Sequence, residues 1–142
     1  MRPSGLRFAL PLFAASVLST TSRADAPAAP MRASIVCEAP PAPGRFRCDV
    51  ELRAPEGRLS WADVEVTFAD DFILPLRGRL APRDASTHDA DIFRWSLGFV
   101  AKSRGAGKVT VRVHAVLCRG PSCEPVESEV SGRVVVAGAS PP

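Results

Sequence analysis

Four cysteines are the residues of this 142-residue chain best equipped for chemistry: Cys37, Cys48, Cys118 and Cys123. Thiols do three things in proteins: they pair, bind metal, or exchange. A structural zinc site asks for four N or S ligands, and His88 and His114 are the only histidines that could complete one. Pairing into two bridges is therefore expected, with three connectivities open before geometry is considered. Cys118 and Cys123 stand apart because only Arg-Gly-Pro-Ser separates them.

The flanks of that pair settle its register. Val109–Leu117 and Glu124–Val136 alternate in polarity, as two strands folded back on a turn carrying Gly120 and Pro121 do. Placing Cys118 opposite Cys123 sets Val111 against Val130 and Ala115 against Val126. The same register sets Arg112 against Glu129 and His114 against Glu127. One face is then apolar and the other carries two complementary charge pairs, so both faces support one alignment. The two thiols fall on the charged face, near solvent. A bridge closing so short a loop gains little chain entropy, and exposed bridges exchange most readily. Arg119 favours a thiolate at Cys118, while Glu124 opposes one at Cys123.

The first cysteine pair reads differently. Pairing Ala33–Ala39 with Arg45–Arg53 around a Pro-rich loop sets Ile35 against Val50, Cys37 against Cys48 and Ala39 against Phe46, all apolar, with Glu38 against Arg47 behind. Cys37–Cys48 is thus expected to be a structural bridge on the core side.

The remaining elements must hold these hairpins. Val64, Val66 and Phe68 alternate with Glu65 and Thr67 in a half-buried strand. Ile73–Leu80 is expected to be an edge or interrupted strand because Pro75 donates no backbone hydrogen bond. Residues 81–91 lack periodicity and are expected to form a long loop. Ile92–Val100 returns to alternation, with Phe93, Trp95, Leu97 and Phe99 on one side, and Trp61 and Trp95 are both assigned to the core. About seven strands and no helical stretch beyond the N-terminus give an all-β fold, an immunoglobulin-like antiparallel β-sandwich.

The chain opens with Arg2 and Arg7 around an apolar run of about a dozen residues, too short to span a membrane. Residues 1–24 are expected to be a secretory signal peptide cleaved after Ala24 or Ala26. A disordered Pro/Ala leader at 25–33, a single sandwich domain at 34–137 and a disordered tail at 138–142 follow. Loss of Arg2, Arg7 and Arg23 lowers the 18 basic residues to match the 15 acidic ones. The basic surplus that nucleic-acid binding needs is absent, and no later run can span a membrane. A periplasmic or secreted location is expected. No P-loop, Ser-His-Asp spacing or supported carboxylate pair occurs, so no cofactor and no metal is called for.

The stretch Ile92–Leu97, the turn after it, Lys108–Val113 and Cys118–Val130 resemble the N-terminal periplasmic domain of DsbD, the transmembrane thiol:disulfide interchange protein. The resemblance covers about 45 residues, its most specific part being the C-x4-C followed by x-P and an acidic-to-valine strand. It implies an immunoglobulin-like domain whose hairpin-tip cysteines pass reducing equivalents between periplasmic or membrane thiol–disulfide proteins. Cys118 and Cys123 would be the reacting pair, with Cys123 forming the mixed disulfides. Where that family carries an aromatic cap loop, this chain has Ser86-Thr-His-Asp-Ala-Asp91. The alternative function is a non-catalytic, disulfide-stapled β-sandwich that binds another exported protein.

Overall fold

A computed structural model describes residues 30–138. The expected signal peptide, most of the expected leader and the last four residues lie outside the described residues. Among the described residues nine strands occur: β1 (Arg32–Cys37), β2 (Gly44–Arg53), β3 (Arg58–Ala69), β4 (Ile73–Pro75), β5 (Arg79–Leu80), β6 (Thr87–His88), β7 (Ile92–Ala101), β8 (Gly105–Arg119) and β9 (Ser122–Val136). One sheet runs β1-β2-β7-β4, with β6 also on β7; the other runs β5-β3-β8-β9, and every pairing is antiparallel. This is the expected immunoglobulin-like sandwich. Strands β1, β2 and β7 take the A, B and E places, and β3, β8 and β9 take C, F and G.

Alternation builds the core. Phe46, Cys48, Val50 and Leu52 of β2 and Phe93, Trp95, Leu97 and Phe99 of β7 face Val109, Val111, Val113, Ala115 and Leu117 of β8. Trp95 is 1% exposed and its indole N–H donates to the Ala81 carbonyl at 3.1 Å, so its one polar atom is satisfied inside the core. Both hairpin registers are the expected ones, including Ile35 opposite Val50 and Arg112 opposite Glu129. Glu38 does not form a side-chain ion pair with Arg47; its carboxylate accepts the Arg47 backbone N–H at 2.9 Å instead.

Four expectations are corrected. The domain starts before residue 34: Met31 is buried in the core and β1 begins at Arg32, because pairing with Arg53 extends the strand that far. The Ile73–Leu80 segment is two strands. Pro75 ends β4 on the edge of the first sheet, and the chain crosses so that β5 pairs with β3 in the second. The loop at 81–91 contains a 3-10 turn, Pro82–Asp84, and the strand β6, and the His88 ring packs 4.1 Å from that of Phe93.

The fourth correction concerns Trp61, which is 39% exposed rather than in the core. Register shifts in β3 between Leu59 and Trp61, and between Val66 and Phe68, each insert one extra residue. A one-residue bulge exchanges the faces of a strand. Trp61 alternates with the inward Ala62, Val64 and Val66 and so faces outward; the first bulge keeps Leu59 inside, and the second turns Phe68 outward.

Candidate functional site

The hairpin β8–β9 ends in a tight turn. Gly120 has φ +55°, a left-handed conformation that glycine adopts at no steric cost, and Pro121 follows with its fixed negative φ. This closes Arg119 onto Ser122 and brings Cys118 opposite Cys123, where they form one bridge; Cys37 and Cys48 form the other. Both pairings are those the registers require.

The two bridges occupy different surroundings. Cys48 is fully buried and Cys37 packs against the core. Cys118 and Cys123 lie on the outward face of the second sheet, as their register demands, yet they are not equally exposed. Cys123, on the edge strand β9, is exposed. Cys118, on the interior strand β8 between β3 and β9, is only 3% exposed, which corrects the expectation that the whole bridge stands near solvent. An incoming thiolate needs an accessible sulfur, and of the two cysteines Cys123 is the exposed residue.

Strand alternation also reassigns the neighbouring charges. Arg119 follows Cys118 and Glu124 follows Cys123, so each side chain turns to the face opposite its cysteine. The residue sharing the face of Cys118 is Arg58, its cross-strand partner on β3. Cross-strand side chains on one face stand roughly 5 Å apart at Cβ, close enough for a guanidinium to favour a thiolate. Arg58 follows a turn, Ala-Pro-Glu-Gly, and carries no signal of its own in the sequence.

Two further cross-strand rows lie beside the bridge on the same face. The nearer is Trp61–Val116–Pro125. The farther is Asp63–His114–Glu127, and it is built around a buried charge. Asp63 is 2% exposed and accepts hydrogen bonds from the Arg79 guanidinium, through Nε at 2.7 Å and also through its terminal nitrogen. The other carboxylate oxygen lies 3.0 Å from His114 Nδ1. Because a carboxylate can only accept, Nδ1 carries a proton and donates it to Asp63, which leaves Nε2 on the side of Glu127. Glu127 Oε2 stands 3.8 Å from that Nε2. His114 and Glu127 were readable as a surface pair; Asp63 and Arg79 were not readable as their support, because Arg79 reaches Asp63 only through the sheet-crossing of β5.

His114 lies four residues along the strand from Cys118, about 13 Å, too far to move a proton at sulfur. The bridge and the histidine row are therefore separate stations on one face. Among the described residues no group of three or more His, Cys, Asp or Glu side chains is placed to hold a metal ion, and no helix is long and apolar enough to cross a membrane.

No family model matches the chain, and no curated protein matches it. Among solved structures, AggA, the major subunit of aggregative adherence fimbriae type I from Escherichia coli, matches with a TM-score of 0.38 and 8% identity, covering 75% of this chain and 95% of that one. Nothing about function is carried over from a likeness at that level.

Proposed function

We propose that this chain is an exported thiol–disulfide exchange domain, similar in kind to the N-terminal periplasmic domain of DsbD, that passes reducing equivalents through Cys118–Cys123. The observation that supports this reading is the asymmetry of the bridge: Cys123 is an exposed residue, while its partner Cys118 is 3% exposed. A staple has no need of that division, whereas an exchange site uses it to direct attack to one sulfur. Two disulfides in one small domain accord with an oxidising compartment.

The step balances as follows. A thiolate of a donor dithiol attacks Cys123 Sγ, the Cys118–Cys123 bond breaks, and Cys118 leaves as a thiolate opposite Arg58 and takes up a proton. The donor's second thiolate then attacks its own sulfur in the mixed disulfide and releases Cys123. Two electrons and two protons have moved from the donor, now a disulfide, to this domain. An acceptor disulfide takes them by the reverse sequence, with Cys123 attacking and Cys118 resolving.

Cys118→Ser leaves Cys123 without its resolving thiol and is expected to accumulate mixed disulfides with exported thiol proteins, seen as thiol-sensitive adducts on non-reducing gels. Cys123→Ser is expected to form none. The reduction potentials of the two bridges supply the independent measurement: Cys118–Cys123 is expected to be reduced well before Cys37–Cys48. A value below roughly −300 mV for the hairpin bridge, the range of structural disulfides, would sink the proposal. In that event the second reading, a non-catalytic sandwich that binds another exported protein, takes its place, and Cys123→Ser would leave partner capture intact.

A further inference from the structure

The outward face of the second sheet presents three rows in succession: Arg58–Cys118–Cys123, then Trp61–Val116–Pro125, then Asp63–His114–Glu127. Trp61, Val116 and Pro125 form the apolar part of a groove of about 310 Å³, which His114 and Glu127 close at the end away from the bridge. An attacking chain that reaches Cys123 has this groove beside it.

The far end of the groove is polar and held in place. Asp63, buried and bonded to Arg79, fixes the His114 ring through Nδ1. The Glu127 side chain, 68% exposed, adds a carboxylate 3.8 Å from Nε2. An exposed carboxylate at the end of the groove calls for a donor with positive charge.

We infer that this groove docks an extended segment of the exchange partner's own polypeptide, an inference that rests on the exchange reading above. The partner's cysteine lies over Cys123, its side chain two residues away covers the row between Trp61 and Pro125, and a lysine or arginine two residues further meets Glu127. Same-face side chains recur about every 6.7 Å along any extended strand, so alternate residues of such a segment fall in step with the three rows. The charge decides between occupants. A second copy of this chain presenting the same face would bring its own exposed Glu127 towards this carboxylate, whereas a basic segment is attracted to it.

Synthetic peptides test this, each carrying one cysteine, a valine two positions away and a lysine four positions away, made in both chain directions. Matched peptides replace the lysine with glutamate or the valine with glycine. The rate at which each opens Cys118–Cys123 in the wild-type protein is followed by acid quenching and mass spectrometry, with glutathione as the reference thiol. In at least one direction the lysine peptide is expected to react roughly tenfold faster than its glutamate counterpart. Glu127→Lys is expected to reverse that order. Trp61→Ala is expected to remove the advantage of valine over glycine while leaving the glutathione rate unchanged, which also shows that the variant has folded. Equal rates for all peptides, or a lysine preference that survives Glu127→Lys, would overturn the docking inference while leaving exchange standing. A bridge that neither glutathione nor any peptide opens would overturn both.

Discussion

Asp63 occupies the costliest position in this domain for a charged side chain, 2% exposed on the outward face of a sheet. Its carboxylate is tolerated because three donors surround it, two from Arg79 and one from His114. Asp63→Ala is expected to destabilise the fold by about 1–3 kcal/mol in denaturant unfolding, the range for removing a charge-assisted hydrogen-bond partner. The loss stays below that of a fully buried ion pair because the Arg79 side chain, 58% exposed, can rehydrate. Arg58 carries a separate expectation. Arg58→Glu replaces the cation across from Cys118 with an anion and should raise the pKa of the Cys118 thiol in the reduced domain, measurable by thiolate absorbance. Neither residue was legible in the sequence: each reads as an ordinary charge on a strand, and its role comes from what another strand places opposite.

Among the elements, β1 packs against β9 at a position where the sequence supplies a glycine. A Cβ on Gly132 would lie 3.1 Å from Cys37 Sγ and 3.2 Å from an Ile35 methyl, so the first bridge packs directly against the backbone of β9. Gly132→Val should therefore cost about 1–3 kcal/mol through overpacking, and unfolding of the variant in denaturant checks it. If the crowding is against the bridge, a Cys37→Ala/Cys48→Ala background should tolerate the valine better than the native one does. Hairpin registers were legible because apolar and charged pairs on the two faces agree on one alignment, as with Val111–Val130 and Arg112–Glu129. The bulges of β3 were not. Trp61, Val64, Val66 and Phe68 read as inward residues, and only pairing with β8 reveals where an extra residue has been absorbed. The shift after Val66 turns Phe68 outward, while Trp61 alternates with the inward Ala62, Val64 and Val66 and so faces the groove beside Cys123.

At the scale of the whole molecule, stability responds to acid through carboxylates on its surface. Hydrogen bonds from Arg53 and then Arg94 hold Glu51 below its ordinary value, and the Ala81 backbone N–H, then Arg77, does the same for Asp84. Each group ionises more readily folded than unfolded, so its contribution is present above the ordinary carboxylate range and is lost as pH falls through the lowered folded values. Unfolding midpoints should accordingly drop only as pH falls below the ordinary carboxylate range, and Glu51→Gln with Asp84→Asn should flatten part of that drop. The amino-acid sequence by itself determined the sandwich class, both hairpin registers and hence which cysteines pair, because side-chain alternation is local and a wrong register would bury charge. Only the tertiary structure decided that Cys118 is covered while Cys123 is open, that Phe68 turns outward, and that Arg79 and His114 converge on Asp63. Those outcomes depend on which strand lies at an edge, where a bulge falls and where a broken strand changes sheets. Each is a relation between segments far apart in the chain, and alternation within one segment carries no record of it.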